Sequence, residues 1–247
     1  MPIQSKYIYG IIEEPQPRRF GFRGVEDAEV YAINYEDLAA VVSDNGLTEI
    51  YPTRRNVLAH TTVQDEFLKK YTFLPMGFGM IATSEDNVRR LLEKNYEALA
   101  KELERLAGKI EAELKIFWDE KAMVGENQEL LSKLKTKISS ASSAVEAQRL
   151  AIEAGMVVER IVREWKAKYA GQVYNSLKGL AIDARLNNPA GVKNILNASF
   201  LIERVKEHEF VEQVRRLDAE HRGKMNFKYV GPLSPYNFVD LRLELVS

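Results

Sequence analysis

Ten residues near the middle of the chain constrain its fold more than any others. Between Lys109 and Trp118 the side chains of Ile110, Ala112, Leu114, Ile116 and Trp118 alternate with Lys109, Glu111, Glu113 and Lys115. Successive side chains of a strand point to opposite faces, so this period of two predicts a strand with one face against a core. Such a strand needs sheet neighbours and a layer over its apolar face. Gly108, just before it, marks a domain boundary.

The rest of the chain is read around that strand. Upstream, residues 7–12, 29–33 and 38–43 are rich in aromatic, β-branched and other apolar types and predict three strands, with residues 13–24 as turn material containing two Pro and two Gly. Thr53 is placed to cap a helix reaching Tyr71, and Ser84, followed by Glu85 and Asp86, opens a second helix that ends at Gly108. Residues 73–82 (FLPMGFGMIA) between them predict one buried, kinked strand, being about half of the ~20 residues a membrane-spanning helix needs.

Downstream, a polar stretch with Lys133, Lys135, Lys137 and several serines precedes an S-x-x-E capping box, Ser143 and Glu146. A long amphipathic helix starts there through Leu150, Ala154, Val157, Ile161 and Trp165; Gly171 is a point of interruption, Ile182 a continuation, and Asn187-Asn188-Pro189-Ala190-Gly191 the end. A strand through Leu196–Ile202, a helix through Phe210–Leu217 stopping at Gly223, and a strand with Met225, Phe227 and Tyr229 on one face complete the reading. The expected fold class is α+β in two domains: residues 1–108 an N-terminal α+β domain, residues 109–230 a ferredoxin-like (modified βαββαβ) domain with a helical insertion, one element missing or displaced, and residues 231–247 a C-terminal tail.

Composition narrows the function classes. Of 247 residues, 35 are Lys or Arg and 36 Asp or Glu, a formal net charge of −1, so no global basic field draws the chain to nucleic acid or anionic lipid. No cysteine is present, which removes disulfides, thiolate nucleophiles and Cys-ligated metals. The apolar run at residues 7–12 is too short for a signal peptide, so no export is expected.

No phosphate-loop, dinucleotide or serine-hydrolase pattern occurs. Gly77-Phe78-Gly79 lies inside an apolar run, where a bulge or a close backbone approach accounts for the glycines. His60, His208 and His221 lack ligand spacing; His60 reads as a helix-flank residue and His221 as a partner of a helix C-terminus. An RNA-recognition sheet would stack bases on strand aromatics, but residues 203–228 hold seven Lys and Arg against six Asp and Glu, and Phe227 and Tyr229 alternate as core residues do. No cofactor, metal, nucleic acid or lipid membrane is expected.

The stretch Gly231-Pro232-Leu233-Ser234-Pro235-Tyr236-Asn237-Phe238-Val239 sets two prolines around two large aromatics, and is expected to end a strand abruptly. It resembles the G-P-x-P-P-Y-S/N-F-V stretch of the gas vesicle protein F/L family, with Ser234 where a proline is usual. Tyr7-Ile8-Tyr9-Gly10-Ile11 is similar to that family's opening strand. Leu74-Pro75-Met76-Gly77-Phe78-Gly79 is similar to its L-P-x-R-F-G stretch, with Gly77 in place of Arg, and Asn197-Ala198-Ser199-Phe200-Leu201 to an N-x-x-F/Y-L strand. The resemblance implies a non-enzymatic accessory protein, a minor structural component or assembly factor, located at the gas vesicle and in the cytoplasm during assembly, with a gas-facing position as one option. The implied partners are the small hydrophobic shell subunit, whose exposed apolar surface a soluble protein could cover, and other gas vesicle accessory proteins. Gly231, Pro232, Pro235, Tyr236 and Phe238 are the expected contact residues; the alternative is that Tyr236 and Phe238 pin the tail, residues 240–246, to the domain. The other function class that stays open is a ferredoxin-like small-ligand or RNA-binding regulator.

Overall fold

Three side chains that the sequence marks as helix caps act as such. In this computed structural model, which describes residues 5–189, 191 and 193–244, the hydroxyls of Thr53, Ser84 and Ser143 accept from the backbone N–H of Asn56, Asn87 and Glu146. They open α1 (Arg54–Leu68), α2 (Glu85–Leu106) and α5 (Ala144–Lys178). The Glu146 carboxylate reaches back to Ser142 N at 2.9 Å, one residue before the cap. Ala190, the side chain of Trp165 and residues 245–247 lie outside the described residues.

The chain forms two compact units, Met1–Glu111 with Pro232–Ser247, and Ala112–Gly231. The segment after β10 therefore belongs to the first unit. That unit holds β1 (Ser5–Glu13), β2 (Arg19–Arg23), β3 (Glu29–Tyr35), β4 (Leu38–Asn45), β5 (Leu74–Pro75) and β6 (Ile81–Ala82), besides α1 and α2. The sheet runs β2-β3-β4-β1-β5, and β6 also pairs with β1. As a central strand β1 is buried from Ser5 to Ile12, which is why its sequence is a continuous apolar run rather than an alternating one. Its register against β4 slips by one residue at Tyr9, between Ile8↔Val42 and Gly10↔Val41. Beside this bulge Gly10 has no room for a side chain: a Cβ there would lie 2.2 Å from the Phe73 ring and 2.6 Å from the Leu74 carbonyl.

Two expectations for this unit are corrected. Residues 13–24 are not turn alone: they contain β2, whose Phe20 and Phe22 pack edge-on against Phe67, a signal hidden by Pro15, Pro17 and Gly21. Residues 73–82 are not one strand but two two-residue strands joined by a turn in which Gly79 has φ +88°. The glycines there serve a turn and not a bulge; the bulge and the close approach are at Tyr9 and Gly10.

The second unit is built on β7 (Lys109–Trp118), followed by α3 (Glu120–Glu126), α4 (Gln128–Ser139), α5, β8 (Asp183–Leu186), β9 (Asn194–Glu203), α6 (Glu207–Glu220) and β10 (Met225–Leu233). Its sheet order is β10-β7-β9-β8. Without the inserted α3 and α4, the sequence of elements is βαββαβ, and β8 supplies the strand that the sequence reading lacked. It was hidden because α5 was expected to run on through Ile182. Instead α5 passes Gly171 uninterrupted and stops at Lys178, with Gly179 at its cap, leaving residues 183–186 free to pair with β9. β10 likewise does not end at Gly231 but continues through Pro232 to Leu233, a place open to proline because β10 is an edge strand. On β10, Met225 is buried and Phe227 and Tyr229 half-buried, stacked on His221 and tilted against Phe210, so neither ring is offered as a base platform.

Candidate functional site

Polar side chains on the buried face of α1 organise the first unit. His60 and Gln64, one turn apart, are 2 % and 3 % exposed. A buried donor or acceptor left unpaired costs about 1–3 kcal/mol, so each must find partners, and the partners come from three distant parts of the chain. From β1, Tyr7 OH lies 2.9 Å from His60 Nδ1, and the Tyr9 carbonyl accepts from Gln64 Nε2 at 2.9 Å. From the turn after β5, the Met76 carbonyl accepts from Gln64 Nε2 at 3.1 Å and Gly79 N–H donates to Tyr7 OH at 3.1 Å. From the C-terminal segment, Tyr236 OH sits 3.1 Å from His60 Nε2 and donates to the Met76 carbonyl at 2.6 Å. The segments thus joined are three of the four that carry the family resemblance.

The wiring assigns the tautomer of His60. Tyr7 OH accepts from Gly79, so its own proton goes to Nδ1; the imidazole proton is then on Nε2 and points to Tyr236 OH, whose one proton has both the Met76 carbonyl at 2.6 Å and Gln64 Oε1 at 2.9 Å as acceptors. The rings of Tyr7, Tyr9 and Phe78 lie within 6 Å of the imidazole centroid, at 5.6, 5.7 and 5.6 Å. Burial lowers the His60 pKa to about 4, raises Tyr236 to about 12 and places Tyr7 above the usual phenol range. At neutral pH every group in the cluster is therefore uncharged and hydrogen-bonded within it. The cluster is a clamp, with no group poised to take or give a proton to a substrate.

Further contacts hold the segment on either side of Tyr236. Asn237 donates to the carboxylate of Glu111 from its backbone N at 2.9 Å and its side-chain amide at 2.5 Å. Glu111 is 1 % exposed, which corrects its reading as one of the outward residues of the alternating strand. Phe238 is fully buried, and its carbonyl accepts from Arg105. Arg105 also holds Glu102 at 2.6 and 2.8 Å, and this pairing keeps the Glu102 carboxyl below its usual range; Glu102 accepts from Asp240 N at 3.3 Å. Asn95 closes the series, accepting from Glu244 N at 2.9 Å.

The five residues expected to make a partner contact are therefore differently placed. Pro232 and Tyr236 are exposed, Gly231 is half-buried, and Pro235 and Phe238 are buried. Tyr236 keeps 42 % of its surface accessible while its hydroxyl points inward. His60, Gln64 and Glu111 are the members of the site that sequence reasoning missed. A signal existed in α1, where Asn56, His60 and Gln64 share a helical face with Val63 and Phe67, a polar set at core positions.

With that geometry defined, comparisons with known proteins bear on its meaning. A family model described as "Gas vesicle synthesis protein GvpL/GvpF" matches residues 5–240. Gas vesicle protein F of Nostoc sp. (strain PCC 7120) is 27% identical over 238 residues, covering 95% of this chain and 98% of that protein. Gas vesicle protein F of Streptomyces sp. (strain CB03234) is 31% identical over 244 residues, covering 96% and 100%. A crystal structure of the gas vesicle protein GvpF from Anabaena sp. PCC7120 is similar with a TM-score of 0.82 at 26% identity, over 97% of this chain and 99% of that one. Since the family model takes in both units and the Tyr236 clamp, the chain belongs to the gas vesicle synthesis protein GvpL/GvpF family.

Proposed function

We propose that this protein acts in gas vesicle formation by binding and carries out no chemistry of its own. Its family supports an accessory role in gas vesicles. Beyond that, we assign it the task of covering apolar surface on the small shell subunit before that subunit joins the wall, as an assembly factor or a minor component of the vesicle. The observation that carries this reading is the clamp: three of the motif segments meet around groups held neutral and hydrogen-bonded to one another, while apolar side chains stay outside. Tyr236, Val57, Leu58 and Tyr51 are 42 %, 39 %, 63 % and 71 % exposed, and all belong to α1, the residues just before it, or the segment clamped to it. Pro235 and Phe238 fix the position of Tyr236; the exposed Tyr236 and Pro232, with Gly231 shaping the strand end, make the contact.

The test is co-expression with the shell subunit, reading how much of that subunit stays in the soluble fraction bound to this protein. Val57→Glu combined with Leu58→Glu charges the exposed rim and leaves the clamp intact, so the shell subunit is expected to pellet. Soluble, bound shell subunit at the wild-type level would remove this surface from the proposal. Protease treatment of washed vesicles, intact and then collapsed, tests retention and side: loss of the protein only after collapse places it on the gas-facing surface.

A further inference from the structure

The second unit contains a groove that its own packing does not need. It has a volume of about 340 Å³ and lies between α5 (Lys166, Ala167, Ala170, Gly171, Tyr174) and the ends of β8 and β9, with Leu186, Ile195, Leu196 and Asn197, together with Asn187 and Pro189. Its lining is largely apolar, and three features mark it as open for an occupant. Gly171 sits in the interior of a 35-residue helix, where glycine costs about 1 kcal/mol relative to alanine, yet a Cβ at Gly171 would meet nothing within 4 Å. No internal neighbour requires the missing side chain; its absence leaves the groove open. The Oδ1 of Asn197 is buried and has no hydrogen-bond partner among the described residues, an acceptor awaiting a donor. Lys166, at the rim, forms no ion pair among the described residues, and Leu186 is 64 % exposed.

We infer that this groove binds an apolar polypeptide segment in helical form that carries an acidic side chain: apolar residues against Ala167, Ala170, Gly171 and Leu196, a donor to Asn197 Oδ1 and a carboxylate to Lys166. Charge complementarity selects the acidic residue, because among the described residues Lys166 is the only charged side chain lining the groove. Strand addition at the adjacent edge is disfavoured, since both backbone groups of Ala184 on β8 are occupied, the N–H by the Asp183 carboxylate at 2.8 Å and the carbonyl by Tyr174 OH at 3.1 Å. The occupant is thus held through side chains, as a helix in a groove is. This site is independent of the rim around Tyr236.

The test uses a fluorescein-labelled, 18-residue helical peptide with leucines at positions i, i+3, i+4 and i+7, one glutamine on the same face as donor to Asn197 and one flanking glutamate, titrated with the full chain by anisotropy. Saturable binding is expected, weakened about tenfold or more by Gly171→Leu, which fills the groove, and by Lys166→Glu. Exchanging the peptide's glutamate for lysine should restore binding to the Lys166→Glu variant. Circular dichroism checks that Gly171→Leu, which raises helix propensity, melts no lower than wild type. Absence of saturable binding, equal binding by the Gly171→Leu variant, or uptake of decanoic acid without the peptide would each overturn the inference.

Discussion

Acid should loosen the clamp, and by an amount that follows from one imidazole. His60 titrates near 6.5 when exposed and at about 4 in the fold, because burial among aromatic rings disfavours the cation. Between those two values the unfolded chain binds the extra proton and the folded one does not, so stability rises with pH across this window and falls on acidification. The loss is about 2 kcal/mol at pH 5 and approaches about 3 kcal/mol below pH 4. The geometry gives the same sign: an imidazolium would donate from both nitrogens, and Nδ1 faces a phenol oxygen that already accepts from Gly79 and would need another acceptor for its own proton. The assay is urea unfolding of wild type and His60→Gln at pH 7.5 and pH 5, with the His60 ring followed by NMR. The variant should be the less stable at pH 7.5, and the gap should close by about 2 kcal/mol at pH 5. A gap that stays constant, or a His60 midpoint near 6.5, would refute the assignment of a neutral, doubly engaged imidazole.

The other predictions concern single positions. Ser234, 4 % exposed, has a buried hydroxyl with no partner among the described residues, so Ser234→Ala should raise stability by about 1 kcal/mol in thermal or urea unfolding. Asn237→Ala removes a charge-assisted bond to the buried Glu111 carboxylate and should cost about 2 kcal/mol in the same measurement. Gly10→Ala drives a methyl into Phe73 and the Leu74 carbonyl and should cost about 3 kcal/mol or prevent folding, read as soluble yield and cooperative melting. Gly77→Arg should be neutral to within about 0.5 kcal/mol, since Gly77 is exposed and a Cβ there meets nothing within 4 Å.

Where local rules act alone, the sequence and the structure agree. Thr53, Ser84 and Ser143 cap because a short hydroxyl before an amphipathic run has one efficient use, and the alternation at residues 109–118 gives a strand because no other structure has that period. The disagreements have a common cause, tertiary pairing that overrides local signals. β8 has only four residues and exists because β9 lies beside it; β5 and β6 have two residues each and exist because β1 offers an edge on that side. Glu111 was unreadable for the same reason. By period it belongs to the outer face, but its carboxylate is covered by Asn237, 126 residues away in sequence.

The same distance argument changes how the motif residues are understood. As a linear string, the C-terminal motif suggests a projecting tail with two aromatics for a partner, yet Phe238 is wholly internal and the hydroxyl of Tyr236 is spent on His60 and Met76. Each of the three joined motif segments supplies what another lacks: β1 a phenol and a carbonyl, the turn after β5 an N–H and a carbonyl, the C-terminal segment a second phenol, and α1 the imidazole and amide that join them. Removing any one leaves buried polar atoms of the others unpaired, at about 1–3 kcal/mol each. The segments therefore depend on one another as a set, and binding is left to side chains on the outside of the clamp, which the clamp positions. Tyr236 alone does both, anchored through its hydroxyl and exposed along its ring. Tyr236→Phe, which keeps the ring and removes the anchor, should therefore lower stability by about 2 kcal/mol and leave shell-subunit capture by the folded fraction unchanged. If capture fell while the fold was intact, the hydroxyl itself would be part of the contact, and the separation of clamp from rim would be wrong.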